Sequence, residues 1–157
     1  GKTSAAADPA LILVELARHL DRLDDAVVRQ TLAEVLTHRK LIEWVGTRGE
    51  ALVASGQARG AEGSILKLLS SRQIRRIANL AGSLLGPAFS ADTGEWGTFA
   101  WSDYLCSTPG LRIAGGTDEI QHNILGERIL GLPKEPEVDR EMPFREVPAN
   151  SVRRKQD

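Results

Sequence analysis

Gly115-Gly116-Thr117-Asp118-Glu119-Ile120-Gln121-His122-Asn123-Ile124-Leu125-Gly126-Glu127-Arg128-Ile129-Leu130-Gly131-Leu132-Pro133 is the stretch whose reading decides the fold. Paired glycines admit a backbone other groups can approach closely, Thr117 is a helix cap, and Asp118 and Glu119 put negative charge where a helix N-terminus favours it. A helix therefore starts here. Ile120, Ile124, Leu125, Ile129 and Leu130 recur at helical spacing, and Gly131 with Pro133 supplies the stop. Taken alone, the stretch describes one well-capped amphipathic helix.

Working outward, the chain reads as helices joined by short loops. Asp8 and Pro9 open a short helix from Ala10 to Leu20 with Leu11, Val14 and Ala17 on one face. Asp24 or Asp25 opens a long one, whose stripe of Val28, Leu32, Val35, Ile42, Val45 and Leu52 ends near Gly56. Arg39, Lys40 and Arg48 fall on its wetter faces and carry no chemistry. A polar turn leads into a second long helix over Ala61 to Leu85, which Gly86 and Pro87 terminate. So short a connection makes the two long helices antiparallel neighbours. After the loop from Ser90 to Gly97, Thr98 to Ser107 forms a shorter helix that Pro109 and Gly110 break. Trp44, Trp96 and Trp101 are expected as core or interface anchors.

The fold class is therefore all-α: an antiparallel four-helix bundle with an extended C-terminal tail. Residues 1–8 read as a linker and 9–133 as the bundle. Residues 134–157, punctuated by Pro136, Pro143 and Pro148, form an extended or disordered tail without helix.

Composition narrows the function. With a net charge of −1 there is no basic field to hold nucleic acid. No apolar run approaches the length of a membrane span, and the one cysteine, Cys106, has no partner for a disulfide, which fits a cytoplasmic protein. His19, His38 and His122 are scattered without metal-ligand spacing, so no metal is expected. Asp92 and Glu95 share a loop with nothing to desolvate them, and solvation is their expected role. The glycine turn remains the only specific candidate.

In the order of its residues, that turn resembles the last turn and last helix of acyl-CoA dehydrogenases, especially a bacterial form reading Gly-Gly-Thr-Ser-Glu-Ile-Gln and ending in Leu-Gly-Leu-Pro. Two further runs are similar to the family's long helices: Leu32-Ala33-Glu34 and Ser64-Ile65-Leu66-Lys67. The resemblance covers roughly Asp24 to Pro133. It implies a C-terminal bundle domain belonging with an N-terminal helical domain and a middle β-domain, which would hold much of the flavin pocket and most acyl-CoA contacts. It implies FAD as cofactor, an acyl-CoA substrate, and a homo- or hetero-oligomeric dimer or tetramer. Whether the acyl group is fatty or a steroid side chain depends on the other domains. Gly116, Thr117 and Glu119 match the cofactor-binding positions, and the free N–H groups of a helix start suit phosphate oxygens there. No flavin is expected on this stretch alone.

The departures from the family's pattern matter as much. Many members carry a glutamate base directly before the Gly-Thr pair; here that position is Gly115, which leaves no catalytic carboxylate in the turn. The base then lies upstream of Gly1 or is absent, as in a non-catalytic subunit of a mixed tetramer. The backbone N–H of Gly115 keeps a possible oxyanion-type contact to the thioester carbonyl. The Arg-Lys-x-Phe-Gly run before the first long helix is replaced by Ala17 to Arg22, with Arg18 or Arg22 as substitutes. The Gln-x-x-Gly-Gly turn reads Ser83 to Pro87 and lacks its glutamine. Two functional classes stand: a flavin-dependent acyl-CoA dehydrogenase domain, and a helical interaction or scaffold module without chemistry of its own.

Overall fold

The computed structural model describes residues 8–57, 60, 62–134 and 142–147. Within them the chain is all-helical: α1 (Pro9–His19), α2 (Ala26–Ala54), α3 (Glu62–Leu85), α4 (Thr98–Ile113) and α5 (Asp118–Arg128), with short 3-10 helices at Gly86–Ser90 and Phe144–Glu146. No strand occurs among the described residues.

The caps follow the sequence. Asp8 caps α1 by accepting from the Ala10 N–H at 2.9 Å, with Pro9 in the first turn. Asp25 caps α2, accepting from Val27 at 2.9 Å and Val28 at 3.3 Å. Thr117 caps α5 through the Ile120 N–H. Each satisfies a backbone donor that the helix start would otherwise leave unpaired.

All other α-helices pack against α3. Val28 near the start of α2 shares a groove with Leu80 and Ser83 late in α3, while Leu52 meets Gly63 at their other ends, so α2 and α3 are antiparallel. Lys67, early in α3, reaches the last turn of α4, and then Asp118 and His122 climb α5 beside Lys67 and Arg72. Direction thus alternates from α2 to α5, as expected for the bundle, with α1 laid against α2 and α3.

The core gathers Leu13 and Leu16 of α1, Val28, Leu32 and Val35 of α2, Ile77, Leu80, Ala81 and Leu84 of α3, and Trp101 of α4. Burying each of the larger side chains stabilises by about 1.5–3 kcal/mol. One polar group joins the α2–α3 seam: Gln73 donates from Nε2 to the Val35 carbonyl at 2.8 Å.

Several expectations are corrected. The buried face of α1 is Ala10, Leu13, Leu16 and Ala17; Leu11 is exposed and Val14 only half-buried, because α1 is apolar nearly all round and its spacing alone does not select the inward face. The fourth helix does not break at Pro109 but runs on to Ile113. Proline removes the N–H that would bond the Leu105 carbonyl, and the Thr108 hydroxyl donates to that carbonyl instead, at 2.8 Å. Of the three tryptophans expected as core or interface anchors, Trp101 lies in the core, and Trp44 and Trp96 are exposed. Arg39 is part-exposed but paired, since its guanidinium donates to the Asp8 carboxylate and ties α2 to the cap of α1. Asp8 therefore belongs to the bundle rather than to a linker. The last helix ends at Arg128, and Ile120, Ile129 and Leu130 are exposed while Gln121 is buried. With α3 the principal helix it packs on, much of its apolar stripe stays uncovered. In the tail, Phe144–Glu146 makes a 3-10 turn; residues 135–141 and 148–157, like 1–7, lie outside the described residues.

Burial pushes the Asp8 carboxyl up, but Arg39 and the α1 amides outweigh it and hold it below the ordinary range. A depressed carboxylate contributes stability above its unfolded pKa and loses it as pH falls through the folded value. In thermal melts at neutral pH, Asp8→Ala should cost about 1–2 kcal/mol from loss of cap and ion pair. Asp8→Asn, which keeps a cap acceptor, should cost less. Its deficit should fade as pH falls below the ordinary aspartate range, and a deficit that grows in acid would contradict this assignment.

Candidate functional site

The glycine turn lies between the end of α4 and the start of α5. Ala114 donates to the Gly110 carbonyl at 2.9 Å, the last helical bond of α4. Gly115 and Gly116 then take φ values of +69° and +96°, the left-handed region that a side chain disfavours. A Cβ on Gly115 would meet open space, whereas one on Gly116 would sit 2.6 Å from Nε2 of Gln121. That nitrogen is already committed, donating to the Gly115 carbonyl at 2.9 Å. The Gly115 N–H makes no backbone hydrogen bond among the described residues and stands at an exposed residue.

Asp118 is the most heavily engaged group in the site. Its Oδ1 accepts from Lys67 Nζ at 3.3 Å and from Ser71 Oγ at 3.1 Å. Its Oδ2 accepts from Arg112 through Nε at 2.8 Å and Nη2 at 2.7 Å. Lys67 also donates to the Arg112 carbonyl at 2.7 Å. The Asp118 side chain is only 12% exposed and that of Lys67 19%. Burial pushes the Asp118 carboxyl up, but Arg112, Lys67 and Ser71 outweigh it and leave it below the ordinary range. The group is ionised at neutral pH, with both oxygens occupied by these donors.

Glu119 is exposed and also held below the ordinary carboxylate range, first by its own backbone amide and then by the Thr117 hydroxyl. A carboxylate held ionised at the helix start places negative charge where a phosphate would otherwise be welcome. Shallow clefts flank the turn. One of about 200 Å³ is lined by Arg72, Arg75, His122 and Glu119 among others; the other, about 250 Å³, by Pro109, Ile113, Thr117 and Glu119.

Gly115, Gly116, Thr117 and Glu119 therefore do come together on one accessible turn. What the sequence reading missed is the cluster beneath it: Lys67, Ser71, Arg112, Asp118 and Gln121. Lys67 stood inside a motif already singled out, but a partner 51 residues away leaves no trace in local spacing. Asp92 and Glu95 stay on an exposed loop, where the Asp92 carboxylate accepts from the Gly94 N–H at 3.0 Å. No cluster of His, Cys, Asp and Glu suited to a metal occurs among the described residues, and no helix there is long and apolar enough to cross a membrane.

The two glycines should differ on substitution. Gly115→Ala meets only the left-handed backbone, about 1–2 kcal/mol, while Gly116→Ala adds loss of the Gln121 hydrogen bond, about 1 kcal/mol more. Thermal melts should rank Gly116→Ala as the more damaging; equal losses would contradict the geometry of the turn.

Residues 10–130 match the acyl-CoA dehydrogenase C-terminal domain. Acyl-CoA dehydrogenase IpdE1 of Mycobacterium tuberculosis is 32% identical over 130 residues, covering 78% of this chain and 31% of that protein. Its counterpart of the same name in Mycolicibacterium smegmatis is 31% identical over 127 residues, covering 78% of this chain and 30% of the relative. Among solved structures, the ChsE4-ChsE5 complex from Mycobacterium tuberculosis superposes with a TM-score of 0.65 at 20% identity, over 81% of this chain and 36% of that one, and so shares the fold. The chain spans under a third of the length of these curated relatives. It belongs to the acyl-CoA dehydrogenase family, as that family's C-terminal helical domain.

Proposed function

We propose that this chain serves as the C-terminal domain of an FAD-dependent dehydrogenase acting on the α,β-carbons of an acyl-CoA thioester. Its part is to present the Gly115–Glu119 turn to the flavin. The observation that carries this reading is the turn itself: left-handed glycines, a Gly115 N–H with no backbone acceptor among the described residues, and Thr117 and Glu119 at the exposed helix start. These residues fit a flavin through its hydroxyl and N–H donors rather than its phosphates, since the exposed Glu119 carboxylate is itself negatively charged and can only accept hydrogen bonds. In the family's reaction, FAD when bound takes the hydride from the β-carbon. The Gly115 N–H would polarise the thioester carbonyl, which makes the α-proton easier to remove. Gly116 and Thr117 would hold the approach of cofactor to substrate.

No carboxylate of the turn is placed to remove that proton. Gly115 has no side chain, Asp118 is engaged by Arg112, Lys67 and Ser71, and Glu119 is held ionised in the first turn of α5. The base would therefore lie on another part of the whole protein or be absent. The same observation supports a second reading, a non-catalytic helical subunit that completes a flavin site across an interface. Oligomeric assembly fits the exposed Val27 and Trp44 on α2, Phe99 and Ile113 on α4, and Leu130 beyond α5, which present apolar surface on several faces.

In the whole protein, Glu119→Gln should keep turnover within about tenfold of wild type, because a general base is worth about 10²–10⁴-fold and Glu119 is not one. Flavin retention should weaken. Loss of several orders of magnitude in turnover with flavin still bound would return the catalytic role to this turn.

A further inference from the structure

The Gly115–Thr117 turn is a poor candidate for rigidity on its sequence alone. Adjacent glycines carry the largest backbone entropy to lose, roughly 1–2 kcal/mol for each residue ordered. A ligand that had to order them on arrival would bind that much more weakly. The structure instead fixes the turn at both ends and in the middle. Arg112 and Asp118 are joined side chain to side chain across the intervening residues. Gln121 holds the Gly115 carbonyl, and the Thr117 cap holds the far end.

We propose that Asp118 and Lys67 are positioning residues for the cofactor. Through Arg112 and Ser71 they set the spacing of the ends of α4 and α5, and so preorganise the turn that meets flavin without touching flavin themselves. This inference rests on reading that turn as the flavin contact. The geometry is specific to it. Lys67 has two acceptors, the Arg112 carbonyl at the end of α4 and the Asp118 carboxylate at the start of α5. One ammonium thus sets both ends of the same short connection. Neither partner is exchangeable with water at low cost, because both side chains are largely buried. The remaining charges around the carboxylate are Arg112 of α4, Glu119 and His122 of α5, and Arg72 and Arg75 of α3. Of these, only Arg112 pairs with Asp118.

The test is flavin affinity in the whole protein, measured on Asp118→Asn, Lys67→Met, Lys67→Arg and Thr117→Val at temperatures well below every melting transition. Asp118→Asn and Lys67→Met should each raise the flavin dissociation constant about tenfold or more, the scale of coupling in a buried charge network. The visible band of the flavin should shift toward that of free flavin, with far-ultraviolet dichroism and subunit size unchanged. Lys67→Arg should recover affinity to within about threefold, because the lysine contacts are single donors rather than a bidentate fork. If Asp118→Asn does not fold, Lys67→Met, which removes one donor and no carboxylate, decides the matter. Flavin affinity unchanged in Lys67→Met and Asp118→Asn but lost in Thr117→Val would overturn the positioning role and leave the flavin contact standing. Affinity unchanged in Thr117→Val as well would overturn both.

Discussion

The largely buried Asp118 carboxylate, with its donors from α3 and α4, is the constraint on which the working end of the molecule depends. It suits the field of the helices as well as their contacts. A carboxylate at the start of α5 faces the positive end of that helix dipole, and the Lys67 ammonium on the Arg112 carbonyl faces the negative end of α4. One lysine and one aspartate thereby complement two helix termini and bind both to α3. The turn between those termini is left with its glycine backbone outward and its position determined from below. Elsewhere in the bundle Asp8 does a comparable task, capping α1 while reaching Arg39 of α2.

Much of this was legible in the sequence because it is local. The starts of α1, α2 and α5 follow from Asp8, Asp25 and Thr117, each within three residues of the amides it caps. The antiparallel order follows from short connections. What escaped is what acts at a distance or by substitution. The continuation of α4 past Pro109 depends on a threonine hydroxyl replacing the missing amide, which no periodicity reports. The inward face of α1 was ambiguous because nearly every position could be apolar. Asp118 read as a favourable charge at a helix start, and so it is. Its partners on α3 and α4, however, are set by how the helices pack, and only the folded chain brings them together.

The site is defined as much by what it withholds as by what it offers. On the proposed reading, a turn with an open Gly115, a committed Asp118 and an exposed, ionised Glu119 orients and polarises without itself taking a proton from carbon. The chain's contribution would then be one of presentation, and the chain spans a minor share of its relatives' length. The apolar residues left outward on α2, α4 and α5 are the surfaces the proposed assembly would use.

The most direct measurement of this account is amide hydrogen exchange of the whole protein with and without FAD. Protection on cofactor binding should concentrate in the Gly115–Ile120 segment, with the α2–α3 core already slow to exchange in its absence. Identical exchange of that segment in both states, with FAD bound at full stoichiometry, would contradict the claim that the glycine turn is where this chain meets its cofactor.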